Sequence, residues 1–330
     1  MEKIETQKAV GKILGADVTE VVPGVKKGPL FKKGHIIRKD DIVPLLSIGK
    51  HYVWIFSERE GFIHEDDAAT EMMNLVKKEN LRLSSPSESK VKLFAEVKGV
   101  LIINMKGLEE INRLKNPRVA TKRNFSFVEK NTPVAIGKVM PLEIPVTEMD
   151  EIRSITEEYY PIIDLLSIKN HRIALFPVGN EFIERRREET MSGRVKQYLE
   201  QLGQDIVLEK VLPDDVSQIR ESGMDAVEKG LDIIIYMGGM AVDPDDKTVE
   251  GIEKMGAEIV MYGVPMWPGT TFLLAYKDGK IILGIPSSAG FMEKGTSFHK
   301  IMPIILSNYT VSRDTLIKMC EGGFIDARNL

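Results

Sequence analysis

Along the second half of the chain, apolar residues fall in short unbroken runs separated by longer amphipathic stretches. The runs lie at residues 172–179, 205–212 and 232–237, and the amphipathic stretches at 184–202 and 215–229. A continuous β-branched run predicts a strand buried on both faces, as in a parallel sheet. Strands alternating with helices of this length predict right-handed βαβ crossovers. Further on, residues 271–276 and 280–283 flank Asp278-Gly279, which predicts a hairpin. Residues 291–307 and 312–320 read as helices, as does a short stretch at 247–254.

The first half has a different texture. Residues 1–60 read as a β-rich segment, with a good strand at 51–56 (His-Tyr-Val-Trp-Ile-Phe). Residues 61–150 read as an α+β unit. Its helix at 65–79 carries Ala68, Met72, Leu75 and Val76 at helical spacing, so Met72-Met73 reads as core. Strands follow near 92–97, 100–103 and 132–139, with a helix at 108–114. The basic run 115–123 reads as a solvated face. Residues 151–170 read as a helical connector, and 171–330 as an α/β domain.

Composition narrows the class. A chain of 330 residues exceeds the roughly 250–300 that one core usually supports, so several domains are expected. With 43% hydrophobic and 28% charged residues it is an ordinary globular chain, not a disordered one. A net charge of -4 gives no electrostatic footprint for nucleic acid. The single Cys320 allows no intrachain disulfide and is expected to pack as a small apolar residue. The N-terminus lacks the apolar core of a signal peptide, and no run nears the ~18 residues of a membrane helix, so a cytoplasmic protein is expected.

The candidate chemistry sits where predicted strands end. The run 233–237 stops at Gly238-Gly239, where a missing Cβ lets a ligand approach the backbone, and Asp243, Asp245 and Asp246 follow at once. An ordinary solvated turn also fits these residues. Val178-Gly179-Asn180-Glu181 and Pro213-Asp214-Asp215 end two other strands. A fourth loop, 284–290, includes Pro286, Ser287 and Ser288 and offers backbone amides to an anion. Ligands bind at this edge of open α/β sheets. Carboxylates beside an anion-binding loop suggest Mg²⁺ shared with a phosphate. For Asp214 and Asp215 the alternative is a plain helix cap. Zinc spacings, a Walker A sequence, a Gly-x-Gly-x-x-Gly fingerprint and a nucleophile elbow are all missing, so Ser287 reads as a ligand contact, not a nucleophile.

Gly179-Asn180-Glu181, Pro213-Asp214-Asp215 and residues 238–246 resemble the motifs of the molybdopterin-binding domain shared by MoeA-type molybdenum insertases and MogA-type adenylyltransferases. Residues 265–269 (Pro-Met-Trp-Pro-Gly) and 284–286 look like its later loops, so the resemblance runs in order over roughly 171–310. Residues 34–56 are similar to the segment preceding that domain in MoeA-type proteins. The middle region looks like a less characterised prokaryotic group of molybdopterin-binding proteins, with Phe94 and Asn131 in its motifs.

The resemblance implies a three-layer α/β/α sandwich with a mostly parallel sheet. It implies catalytic roles for Asp246, Asp215 and Glu181, and a metal held by Asp214, Asp215 and Asp246. Ligand contacts would come from Gly179, Asn180, Gly238, Gly239, Met240, Ala241, Asp243, Pro268, Gly269, Pro286, Ser287 and Ser288. It further implies Mg²⁺, molybdopterin or its adenylylated form as ligand, a homodimer, and a molybdoenzyme or cofactor-assembly partner.

The chain departs from the insertase pattern at five places. Val178 replaces a Thr, Ala241 a hydroxyl residue, Trp267 and Thr270 lysines, and Ser287 a Gly. Lost cations weaken capture of molybdate, a dianion, so pterin-phosphate binding is the expectation, with molybdenum insertion its possible extension. The basic run 184–187 either supplies that charge or forms the solvated first turn of a helix. A non-catalytic carrier or sensor, and a nucleotide pyrophosphate hydrolase, are the competing readings.

Overall fold

The computed structural model describes residues 1–57, 59–240 and 243–325. The chain divides into two compact units, Met1–Ser167 and Ile168–Leu330.

In the first unit, strand Glu2–Glu5 pairs antiparallel with Tyr52–Ile55, and Val18–Val22 with Lys26–Phe31. A small core of Ala9, Leu14, Val18, Ile37, Leu45 and Val53 holds this segment together. Helix Glu65–Val76 then buries Ala68, Ala69, Met72, Met73 and Val76. It packs on a four-stranded antiparallel sheet. Gly137 makes that approach possible, because a Cβ there would run into the Met72 and Met73 side chains. Residues 151–170 are not one helical connector. The helix is Val146–Tyr159, and Ile163–Ser167 is a strand paired with Gly99–Ile103. Pro161 disfavours helix at the residue before it, and the apolar run after it joins the core.

The second unit is built on one six-stranded sheet. Its strands are β1 (Ile173–Pro177), β2 (Ile206–Glu209), β3 (Ile233–Met237), β4 (Glu258–Tyr262), β5 (Leu273–Lys277) and β6 (Lys280–Ile285). Their order is β2-β1-β3-β6-β5-β4. Neighbours β2, β1, β3 and β6 are parallel, and β5 runs antiparallel to β6 and β4. The hairpin at Asp278-Gly279 is the β5–β6 connection.

The helices are α1 (Asn180–Ile183), α2 (Ser192–Gln201), α3 (Val216–Glu228), α4 (Thr248–Lys254), α5 (Ser288–Phe291), α6 (Ser297–Leu306) and α7 (Arg313–Lys318). Successive strand residues point to opposite faces. Ala174, Phe176, Ile234, Tyr236 and Ile282 meet Ile219 and Ala226 of α3 and Ile252 of α4. The alternate set, Ile173, Leu175, Ile233, Ile235 and Leu283, is equally buried, as are the apolar sides of α2 and α6. Helices therefore cover both faces, giving a three-layer α/β/α sandwich.

Two predicted helices begin later than expected. Residues 184–202 are not one helix: α1 ends at Ile183, Arg185 takes a left-handed φ of 58°, and α2 starts at Ser192. The Glu189 carboxylate holds that start by accepting from the Met191 and Ser192 amides and the Ser192 hydroxyl. In residues 291–307 the helix is α6, from Ser297 to Leu306, and only Phe291 belongs to α5. Cys320 is exposed instead of packed.

Candidate functional site

Strands β1, β3, β4 and β6 all end at one edge of the sheet, and β1 and β3 are adjacent there. The chain leaves β1 toward β2 on one side and leaves β3 toward β4 on the other. Such a reversal opens a crevice at the carboxyl ends of the strands.

The first three loops are locked together at that crevice. The Val178 amide donates to the Met237 carbonyl at 2.9 Å, and the Gly179 amide to the Leu212 carbonyl at 2.9 Å. The Asn180 amide donates to Asp214 Oδ2 at 2.8 Å, and the Asp214 amide donates back to Asn180 Oδ1 at 3.1 Å. This reciprocal clamp fixes the Asp214 carboxylate. Its Oδ1 lies 3.1 Å from where a Cβ on Gly239 would sit.

Gly238 and Gly239 hold left-handed φ values of 95° and 62°. A Cβ on Gly238 would come within 2.9 Å of the Val178 carbonyl oxygen. Both glycines are therefore required, by conformation and by space. Buried Thr248, at the start of α4, closes the turn. Its hydroxyl donates to the Gly238 carbonyl at 2.9 Å and its amide to the Gly239 carbonyl at 3.0 Å.

The carboxylates at this rim are poorly compensated. Burial raises the Asp214 carboxyl above its ordinary range; the Asn180 amide opposes this, and the charges of Glu181, Asp246 and Asp245 push it further up. Asp246 Oδ2 is buried with no hydrogen-bond partner. Burial, then the Asp246 charge, also raises the Tyr262 phenol. The Tyr262 hydroxyl donates to the Met240 carbonyl at 2.5 Å, so the acidic loop reaches across to the end of β4.

Asp215 is placed differently from the expectation. It is exposed, and its carboxylate caps α3 by accepting from the Gln218 amide at 2.9 Å. Among the described residues no three His, Cys, Asp or Glu side chains group as a metal site, so Asp214, Asp215 and Asp246 do not form the expected trio. The physical reason is the helix: its first free amides capture the nearest carboxylate. Asp214 instead shares the rim with Glu181, Asp246 and Asp245, whose charges all act on it.

The remaining expected contacts divide. Gly179 lies against Glu181, whose Oε2 would be 2.7 Å from a Cβ there. The Met240 side chain is buried against Gly284 and so serves as packing. Asp243 is exposed and accepts the Asp246 amide on its carbonyl. Ala241 lies outside the described residues. Pro268 and Gly269 are tied to α6, the Ser297 amide donating to the Pro268 carbonyl and its hydroxyl to the Gly269 carbonyl.

In the fourth loop three amides are taken up within the turn. Those of Ala289, Gly290 and Phe291 donate to the carbonyls of Pro286 and Ser287. Ser287 is exposed, and the Ser288 hydroxyl is buried without a partner. Thr248 and Tyr262 escaped the sequence reading, because nothing in their spacing marks them.

A doubly wound α/β domain with its loops gathered at a switch point is a small-ligand-binding domain by architecture. Residues 174–306 match the family model described as "Probable molybdopterin binding domain". This part of the chain is a divergent molybdopterin-binding domain, of the kind found in molybdenum cofactor biosynthesis. Residues 3–57 match a separate model, a domain of unknown function.

A molybdopterin molybdenumtransferase of Staphylococcus aureus is 27% identical over 133 residues, 38% of this chain and 32% of that protein. The chain thus spans about a third of the length of the curated relatives it matches. Similar solved structures include the molybdopterin biosynthesis enzyme MoaB of Thermus thermophilus, at 20% identity and TM-score 0.37, covering 42% of this chain and 96% of that one. The tungsten cofactor synthesizing protein MoaB of Pyrococcus furiosus is another, at 15% identity and TM-score 0.34, covering 44% and 98%. Among the described residues no helix is long and apolar enough to cross a membrane.

Proposed function

We propose that the rim formed by Gly179, Asn180, Asp214, Gly238, Gly239 and Asp246 binds molybdopterin or its adenylylated form. The observation that carries this reading is the buried, unpartnered Asp246 Oδ2 beside an Asp214 carboxyl already raised by burial and like charge. A folded chain rarely leaves a buried oxygen unpaired unless a ligand or ion completes it. The two left-handed glycines let the turn close against Val178, Asp214 and Thr248, which draws the acidic loop to the rim.

Two carboxylates suffice for Mg²⁺, which takes one or two from protein and the rest from phosphate and water. Asp214 and Asp246 would hold it, and the ion would offset their mutual repulsion and neutralise a substrate phosphate. Glu181 adds negative charge at the mouth. The Asn180–Asp214 clamp and Thr248 keep these groups in place. A homodimer, a cytoplasmic setting and delivery to a molybdoenzyme complete the proposal.

Insertion of molybdenum is the enzymatic form of this reading. One observation favours the alternative, a carrier or sensor without turnover: Asp215 is committed to its helix, leaving fewer acids for chemistry. Calorimetry of the full chain with molybdopterin and Mg²⁺ tests the binding. Saturable binding that Asp246→Asn weakens is expected, and no saturable binding overturns the proposal. Reconstitution with molybdate and adenylylated pterin then separates the two forms, since a carrier binds without product.

A further inference from the structure

The first unit carries a small sheet that is apolar on both faces. Strands Glu2–Glu5 and Tyr52–Ile55 pair antiparallel, with Lys3 opposite Trp54 and Glu5 opposite Tyr52. Two further strips widen the sheet. Leu14 bridges Ile55, and Ile13 bridges Ile36. The Phe56 amide donates to the Ile13 carbonyl and the Gly15 amide to the Trp54 carbonyl, both at 2.8 Å. Successive residues of each strip point to opposite faces. Leu14, Ile37, Val53 and Ile55 point inward and are buried.

Ile13, Ile36, Tyr52, Trp54 and Phe56 point outward, and each is between 43% and 56% exposed. The pairings set Ile36, Ile13 and Phe56 in one row across three strips, and Trp54 and Tyr52 continue along the strand. An antiparallel sheet that ends at water reads polar on its outer face. Here residues 52–56 (Tyr-Val-Trp-Ile-Phe) are aromatic or aliphatic at every position. A sheet with two apolar faces is a middle layer, and the second covering layer has to come from outside it.

Size and charge say what covers it. Five side chains about half exposed present on the order of 100 Å² each, roughly 500 Å² together, which is near the upper end for the largest apolar patch of a monomer. A standard interface takes about 800 Å² from each partner, so this patch with a polar border reaches that size. A two-fold contact sets a surface against itself, so the surface must not repel its own copy. The charges on the outward side of the Glu2–Glu5 strand are one base and one acid, and both are engaged. Lys3 Nζ lies 4.5 Å from the Tyr52 ring centroid, and Glu5 pairs with Lys8 at 2.8 Å. A nucleic acid or an anionic membrane surface would instead call for a basic field.

We propose that this face is where two copies of the chain meet, outward sheet on outward sheet about a two-fold axis, with Trp54 and Phe56 at the centre. Sheets stacked in this way lie about 10 Å apart, with their inner side chains interdigitated. The proposal gives the homodimer of the pterin reading its contact surface, and it rests on that reading for nothing else.

The test is sedimentation equilibrium of the full chain over a dilution series. A dimer that dissociates at micromolar concentration or below is expected. Phe56→Asp and Ile36→Asp are each expected to weaken it by at least about tenfold. Two equally exposed apolar residues off the face serve as comparisons, Val25→Asp on the hairpin tip and Phe291→Asp in the second unit, and both are expected to stay within about twofold. Melts of dilute protein check that each variant is folded. A second readout needs no change on the face. The chain has two tryptophans, so in a Trp267→Phe background Trp54 reports alone, and its emission is expected to shift to the red as the dimer is diluted apart.

A wild type that stays monomeric at the highest concentration overturns the proposal. So does a dimer that Phe56→Asp and Ile36→Asp leave intact, a Phe291→Asp loss as large as theirs, or a dissociation that leaves the Trp54 emission unmoved. Molybdopterin titrated against the same proteins separates the two readings. If the dimer behaves as expected and molybdopterin does not bind, the face stands and the pterin reading falls. If molybdopterin binds a wild type that sediments as a monomer, the face falls and the rim reading stands.

Discussion

Acids drawn in from solvent in the two units meet opposite fates. In the first unit, Glu148 is buried and both its oxygens are used: Oε1 accepts the Asn116 amide at 3.0 Å and Oε2 its side-chain nitrogen at 2.6 Å. Buried Asp164 faces Lys78, and Glu65, raised by burial, keeps a hydrogen bond to Ser89. In the second unit, Asp246 Oδ2 has nothing, and Asp214 sits among three more carboxylates. An acid that ties down a fold is satisfied by the fold. An acid left unsatisfied at the mouth of a crevice is held ready for something else. That contrast places the candidate site at the second unit's rim, whereas the first unit's acids read as architecture.

The sharpest break in this contrast comes from the backbone. Gly238→Val puts a β-branched residue at a φ of 95° with its Cβ 2.9 Å from the Val178 carbonyl oxygen. A loss of roughly 3 kcal/mol or more is expected, with molybdopterin binding abolished. Chemical denaturation and calorimetry read the two effects. By contrast Gly137→Ala in the first unit meets side chains only, the Met73 Sδ and Cγ and the Met72 Cε, at an ordinary φ. It is expected to cost about 1–3 kcal/mol and to leave binding unchanged.

Swapping acids for amides tests the comparison directly. Glu148→Gln forces an amide donor against one of two Asn116 donors and is expected to cost about 1–3 kcal/mol with no effect on ligand. Asp246→Asn is expected to hold or raise the melting temperature, since it removes the charge from a carboxylate whose buried Oδ2 has no partner. It should weaken molybdopterin binding by about tenfold or more. A stability loss for Asp246→Asn equal to that of Glu148→Gln would erase the distinction between the two acids.

Acid should act on the second unit through His299. Burial lowers its pKa from 6.5 to about 4, and its Nδ1 lies 2.7 Å from the Thr296 hydroxyl. The unfolded chain binds the proton first, so stability is full above pH 6.5 and is lost as pH falls toward 4. A loss of roughly 1–3 kcal/mol over that window is expected. His299→Gln should flatten it in denaturation curves measured between those limits.

The smallest effect belongs to Asp215. Asp215→Ala removes the cap of α3 and is expected to cost about 1 kcal/mol, with molybdopterin affinity within about twofold of wild type. A large loss of affinity with unchanged stability would return Asp215 to the site.

Much of the second unit was legible from the chain. The runs at β1 and β3 are apolar at every position, which only a doubly covered strand tolerates, and the glycines at 238–239 mark backbone that no other residue could follow. The first unit was less so: the strand Ile163–Ser167 hid behind a helical stretch, and its partner Gly99–Ile103 lies some sixty residues earlier. At the site, the identity of the loops could be read, but not the direction of their side chains. Asp214 and Asp215 are neighbours in sequence, yet one is clamped by Asn180 and the other caps a helix.

The sequence by itself determined the doubly wound sheet, the edge where its loops gather and the glycines that open it. Hydrophobic period and glycine's backbone freedom are local properties, and a local reading recovers them. Only the tertiary structure decided which carboxylates meet, that Arg185 breaks the helix, and that Tyr262 reaches Met240. Those outcomes depend on contacts such as Asn180 with Asp214, 34 positions apart, and Met240 with Tyr262, 22 apart. A side chain at a crevice takes its direction from whichever partner the fold brings near, and no spacing along the chain names that partner.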